Sequence, residues 1–368
     1  MSFYKLPTLQ AVDRAAVRIS RKVAITPVKQ SESLSRTVEA SIRGESIGRL
    51  PEVEVFFKCE NAQHTGSFKF RGASHFLARI PDDELKRGVV AYSTGNHALA
   101  VAHAAKLASR ERSITIPTTV VLPSTCPKKK LNATISHGAA VVLSGPDPEA
   151  RELLARQIQS STGAVLVPPA DDVNIALGQA TLIREFLNQV TDIRDSKLDA
   201  IIVPSGGGGL LAGAAAVCRP LGVRLFGAGP EWGGPGLSKA LLIGHRTTFV
   251  SGDEPPTIAD GLRSLTGEAN WRIIKDHNNV EGVFTASEDQ IREALHLMVE
   301  DFGFVVEPSA AVPLAIALFN RDFHRRMTEI RTIRANVRIG IVLTGGNIDV
   351  NELGQIVSGV AVGRQLNV

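Results

Sequence analysis

The segment Thr65-Gly66-Ser67-Phe68-Lys69-Phe70-Arg71-Gly72 sets a lysine between two aromatic rings. A lysine desolvated by apolar neighbours gives up its proton readily and becomes a nucleophile toward carbonyls, as a Schiff-base lysine must. The competing reading is a surface lysine that lays its stem along apolar side chains and keeps its charge in water. Further on, Val203-Pro204-Ser205-Gly206-Gly207-Gly208-Gly209-Leu210-Leu211-Ala212-Gly213 follows an apolar run and opens a helical pattern. Consecutive glycines let backbone amides close on a ligand, and a helix N-terminus adds partial positive charge. Gly206, Gly207, Gly208 and Gly209 therefore read as a phosphate cradle. A tight turn alone needs fewer glycines. Gly207-x-Gly209-x-x-Ala212, with Glu231 beyond the next strand, also satisfies the relaxed dinucleotide fingerprint of a nicotinamide-dependent oxidoreductase. The chain has no Gly-Lys dipeptide, which excludes a Walker loop. Ser93-Thr94-Gly95-Asn96-His97 brings hydroxyls, an amide and free backbone N–H groups to the start of a helix, suited to a carboxylate or to ordinary N-capping. Leu343-Thr344-Gly345-Gly346-Asn347 ends a late strand, where a hydroxyl commonly faces a ligand crevice. A reactive lysine, a phosphate cradle and a carboxylate loop together ask for pyridoxal 5'-phosphate and an amino acid.

These groups lie far apart in the chain, so a repeating scaffold must gather them. A β-then-α rhythm does so. Apolar strands are expected at 52–58, 88–92, 118–122, 139–143, 164–167, 200–203, 223–228 and 339–343. Helices are expected at 8–22, 96–108, 128–137, 147–162, 175–188, from Leu210, at 287–302 and at 309–319. Residues 30–51 read as a loop or short helix. Near-continuous apolar strands between helices indicate parallel sheets covered on both faces. The length of 368 residues fits two such α/β units. Hydrophobic residues at 43% fill a core, and charged residues at 21% do not signal disorder. Aromatics at 5% are too few for the stacking platforms of single-stranded nucleic-acid binders. The net charge of +4 is mild. The basic run Pro127-Lys128-Lys129-Lys130 and the cluster Arg325, Arg326, Arg331 and Arg334 read as solvated faces or as attractors of an anionic ligand. Cys59, Cys126 and Cys218 lack Cys-x-x-Cys spacing, so reduced thiols and a cytoplasmic location are expected. No apolar leader and no run of ~18 apolar residues points to a membrane.

From about Leu9 to Asp349 the chain resembles the serine/threonine dehydratase and serine racemase branch of the fold type II (tryptophan synthase β-like) pyridoxal-phosphate enzymes. The segments above carry the resemblance. So do Lys58-Cys59-Glu60-Asn61, Gly178-Gln179-Ala180-Thr181, Ile258-Ala259-Asp260-Gly261 and Val306-Glu307-Pro308-Ser309-Ala310. The resemblance implies two parallel-sheet three-layer domains: a small one at 88–167 inserted in a large one of 1–87 plus 168–368. It implies that Lys69 bonds the cofactor, with Phe68 against one face of its ring and Gly261 near the other. Asn96 would meet the phenolic oxygen, and Gly206, Gly207, Gly208 and Gly209 the phosphate. Thr344 would face the pyridine nitrogen, where a neutral hydroxyl does not enforce protonation and suits prompt β-elimination. Ser93, Thr94, Gly95, Asn96 and His97 would hold the substrate carboxylate. The activity implied is ammonia-lyase (dehydratase) chemistry on a β-hydroxy amino acid of the L-serine/L-threonine type, giving a 2-oxo acid and ammonia. A homodimer is usual for such folds.

Three positions depart from the family pattern. Thr94 stands where racemases of this branch carry a serine; it keeps a hydroxyl and stiffens χ1. Gly229 and Pro235 stand where metal-binding members have Glu and Asp, so no metal site is expected. Ala170, in Pro168-Pro169-Ala170-Asp171-Asp172, replaces an aromatic and is expected to widen the site. Racemisation or epimerisation, and β-replacement, remain open on the same scaffold.

Overall fold

The computed structural model describes residues 5–43, 52–93, 95–126, 128–145, 147–234, 236–247, 257–331 and 336–365. Its ten strands are β1 (Val28–Gln30), β2 (Glu52–Cys59), β3 (Val89–Tyr92), β4 (Thr118–Pro123), β5 (Ala140–Ser144), β6 (Val165–Leu166), β7 (Ala200–Pro204), β8 (Arg224–Pro230), β9 (Gly282–Ala286) and β10 (Asn336–Leu343). They form two sheets, one of order β1-β2-β10-β7-β8-β9 and one of order β5-β4-β3-β6. The edge strand β1 runs antiparallel to β2, with Val28 opposite Lys58. Every other pairing is parallel, as continuous apolar strands joined by helices require.

Side chains of the central strands alternate between two cores. Val55, Phe57, Ile202, Ile339 and Ile341 enter one. Phe56, Ile201, Val203 and Val342 enter the other, against the helices Val173–Arg194 and Gly209–Leu221. Burial on both faces explains why these strands read as unbroken apolar runs.

The helix Lys69–Arg79 packs on Val173–Arg194 at a very close approach. A Cβ on Gly178 would lie 2.5 Å from the Arg71 carbonyl oxygen and 2.8 Å from the Gly72 Cα. Glycine at 178 therefore fixes how near the lysine-bearing helix sits. Within 30–51, of the two readings loop or short helix, the helix is found: Glu32–Arg43 is helical, because Leu34, Val38 and Ile42 recur on one buried face. Residues 44–51 lie outside the described residues. β1 and β9 escape the apolar pattern because one has three residues and the other only two buried positions. Arg325 and Arg326 lie on the outer face of the helix Arg321–Arg331, where Arg325 pairs with Asp322 and Arg326 with Glu329, a solvated face; Phe323 and Met327 on the same helix are buried. Arg334 lies outside the described residues. No helix among the described residues is long and apolar enough to cross a membrane.

Candidate active site

Lys69 opens its helix at one wall of a cavity lined also by Gly95, Asn96, the glycine loop, Gly261 and Thr344. Its Nζ donates to the Pro169 carbonyl at 2.7 Å and lies 5.3 Å from the centre of the Phe68 ring. Burial lowers its pKa from 10.5 to about 8, because the charged form is poorly solvated there. The apoprotein therefore has a testable signature. Covalent capture of pyridoxal at Lys69, trapped with borohydride and read by mass, rises with pH to a midpoint near 8. An ordinary lysine would place the midpoint near 10.5.

The peptide before Lys69 is tied to the end of β10. The Phe68 N–H donates to the Thr344 carbonyl at 3.1 Å, and Ser67 bridges Gly345. Thr344 and Lys69 thus share one junction at the carboxyl ends of parallel strands.

The four-glycine turn joins β7 to the helix Gly209–Leu221. Gly208 has φ +85°, a backbone state that favours glycine. Cβ atoms at the other three would intrude as well: 3.1 Å from the Leu262 Cα at Gly206, 2.7 Å from the Ala170 Cβ at Gly207 and 2.8 Å from the Ala170 carbonyl oxygen at Gly209. Beside the turn, both polar atoms of the Gln179 side chain are buried without a protein partner, and Gln179 lines the cavity. A backbone cradle at a helix N-terminus, next to an unpartnered buried amide, fits a phosphate. Ala170 also lines the cavity, and its methyl packs against Gly207.

Ser93, Gly95, Asn96 and His97 come to the same cavity. Thr94 lies outside the described residues. The helix Asn96–Arg112 begins here, and helix geometry leaves its first amides without intrahelical acceptors. Two of these side chains are held by contacts within the protein. The Asn96 Nδ2, expected at a phenolic oxygen, donates to both Glu307 oxygens at 2.9 and 3.0 Å, and its Oδ1 accepts from Asn347 Nδ2 at 2.7 Å. A buried carboxyl collects whatever donors surround it. Burial pushes the Glu307 pKa up to about 7, and the Asn96 bond moderates the rise. The His97 imidazole bonds the Val167 carbonyl at 3.0 Å, and burial followed by the nearby Lys69 charge lowers its pKa to about 3. Its ring is a neutral tie between helix and loop, so it is the backbone of His97 that is available to a carboxylate. Gly261 is held by Ser309, whose Oγ accepts from the Gly261 N–H at 3.1 Å.

Residue-type reasoning had not assigned Gln179, Glu307, Asp260 or Lys130 to the site. The first three sit inside segments that carried the resemblance. Lys130 comes from the basic run; its Nζ lies 3.6 Å from Asp260 Oδ2 across the cavity. Pro127 lies outside the described residues. Glu231 is exposed and outside the cavity walls, which leaves the dinucleotide fingerprint without its acidic partner. At the expected non-metal positions, Gly229 offers no side-chain oxygen and Pro235 lies outside the described residues. No cluster of three or more His, Cys, Asp or Glu among the described residues is arranged to hold a metal.

Comparison with known proteins gives concordant matches. The family described as pyridoxal-phosphate dependent enzyme matches residues 20–345. The L-threo-3-hydroxyaspartate ammonia-lyase of Saccharomyces cerevisiae is 34% identical over 357 residues, 96% of this chain and 97% of that protein. The β-hydroxyaspartate dehydratase of Paracoccus denitrificans is 31% identical, over 95% of this chain and 98% of that protein. Among solved structures, maize serine racemase superposes with a TM-score of 0.82 at 32% identity, covering 98% of this chain and all of that one.

Proposed function

Because the chain belongs to the pyridoxal-phosphate dependent enzyme family, with the fold type II architecture, we propose that it is an ammonia-lyase that eliminates the β-hydroxyl of a β-hydroxy amino acid. The products are a 2-oxo acid and ammonia. The observation that carries this reading is the Lys69 amine, its pKa lowered to about 8, sharing one cavity with a glycine cradle and a helix N-terminus. Pyridoxal phosphate, when bound, supplies an aldehyde for the substrate amino group and a conjugated ring that takes up the electron pair left at Cα. Lys69 Nζ removes the Cα proton, a task that a neutral amine performs and an ammonium cannot. Backbone amides of the glycine loop hold the phosphate. Ser93 and the first amides of the helix Asn96–Arg112 hold the substrate carboxylate, and Glu307 orients Asn96 between them. We assign 88–167 to a small domain that carries the carboxylate loop, and 1–87 plus 168–368 to a large one that carries the lysine and the cradle. A cytoplasmic homodimer completes the proposal; sedimentation of the purified protein tests its subunit count.

Lys130 favours a substrate with a second carboxylate. Its Nζ would lie 3.5 Å from a Cβ on Gly95, directly beside the carboxylate loop. Two relatives named for hydroxyaspartate support the same direction. The deciding experiment incubates the holoenzyme with L- and D-serine, L-threonine and L-threo-3-hydroxyaspartate, and reads oxo acid, ammonia and chirality together. Oxo acid and ammonia from an L-β-hydroxy substrate support the lyase. Inversion at Cα without oxo acid rejects it in favour of a racemase, the activity for which the maize neighbour is named. Lys130→Met is expected to lower kcat/KM for the dicarboxylic substrate by about 10–100-fold, the loss of a charge-assisted contact, and to leave L-serine turnover within a few-fold.

A further inference from the structure

Two carbonyl oxygens of the glycine loop, those of Gly206 and Gly207, are braced from the segment 266–270. Thr266 Oγ1 donates to the Gly206 carbonyl at 3.2 Å. The Gly207 carbonyl accepts from the Gly267 N–H at 3.2 Å and from Asn270 Nδ2 at 2.9 Å. The same Asn270 nitrogen donates to the Ala170 carbonyl at 3.1 Å, so both of its hydrogens are used. Asn270 is 2% exposed. Its own N–H donates to Asp171 Oδ1 at 3.1 Å, which ties the brace to the strand-end loop beneath the cavity.

We infer that Asn270 is the positioning residue that sets this protein's preference for the phosphate-bearing form of its cofactor. The peptide unit is planar and trans, so a carbonyl and the following N–H point in opposite directions. Fixing the Gly206 and Gly207 carbonyls toward Thr266 and Asn270 turns the Gly207 and Gly208 amides the other way, to the cavity that these glycines line. Four glycines have more backbone freedom than any other sequence, and an unbraced loop must lose it each time a phosphate binds. Asn270 removes that freedom in advance. Its two donors face carbonyls rather than the cavity, so it acts on the phosphate only through the loop.

The inference rests on the glycine loop being the phosphate site, and the test separates the two claims. Dissociation constants of the apoprotein for pyridoxal phosphate and for pyridoxal, which lacks the phosphate, are measured by equilibrium dialysis for wild type, Asn270→Ala and Asn270→Asp. Wild type should prefer pyridoxal phosphate; no preference would reject the phosphate site itself. In Asn270→Ala, affinity for pyridoxal phosphate should fall about 10–100-fold, as expected for two lost hydrogen bonds. Pyridoxal affinity should stay within about twofold. Equal weakening of both ligands would mean a structural role only and would overturn the inference, as would no weakening of either. Should Asn270→Ala fail to fold, Asn270→Asp keeps the side-chain size and removes both donors, and is judged by the same ratio.

Discussion

Lys69→Ala is expected to abolish turnover, with kcat reduced by at least about 10³-fold, because one amine serves as both cofactor attachment and general base. The variant should still bind pyridoxal phosphate non-covalently, since the glycine cradle is intact. The band near about 410–420 nm that borohydride discharges should vanish, and no peptide should carry the reduced cofactor. Lys69→Arg is expected to be equally inactive. A guanidinium stays protonated at every accessible pH, so it neither attacks an aldehyde nor accepts a proton. Retained turnover in either variant, measured as oxo acid released per enzyme, would move the chemistry to another residue.

Arg71→Ala is expected to give the largest loss of stability. Arg71 is 1% exposed and lies two residues beyond Lys69 on the same helix. Its Nε and Nη2 donate to Glu60 at 2.8 Å each, and its Nη1 donates to Glu185 at 2.9 Å. Glu185 also pairs with the buried Lys58 amine. Burial opposes charge on Arg71, but Glu60 and Glu185 outweigh it and hold the guanidinium charged. Removing Arg71 leaves Glu60 buried with no equivalent partner. The cost of an uncompensated buried charge is about 3–5 kcal/mol. In thermal unfolding this should appear as a midpoint lowered by roughly 4–6 °C. Cofactor retention should fall as well, because Glu185 belongs to the helix Val173–Arg194 against which the Lys69 helix is set. Arg71→Lys should recover only part of the loss: it restores the charge but not the two-sided fork. A midpoint unchanged in Arg71→Ala would show that the network contributes nothing net.

Much of the scaffold was legible in the amino-acid sequence. Strands β7 and β10 are apolar on both faces because helices cover both sides, and that leaves an unbroken run in the sequence. The helix Glu32–Arg43 was harder, since its apolar residues are spaced among serines and glutamates and its stability comes from packing. β9 was invisible for a related reason: its partner β8 is more than fifty residues earlier, and only that pairing makes it a strand. The same divide runs through the site. Lys69, the four glycines and Thr344 could be picked out because their chemistry belongs to the residue type: nucleophilicity, backbone freedom, a neutral hydroxyl.

The amino-acid sequence alone determined the family and the cofactor, and it singled out Lys69 as the candidate reactive lysine. Each follows from residue types in a fixed local order, and local order survives without a fold. Tertiary structure decided the state of those groups. It set the Lys69 pKa near 8, turned the His97 ring into a neutral tie and committed the Asn96 amide to Glu307. It also brought Lys130, Gln179 and Asn270 to the cavity or its cradle. Burial and hydrogen-bond partners supplied from more than sixty residues away govern all of these, and folding alone creates such contacts.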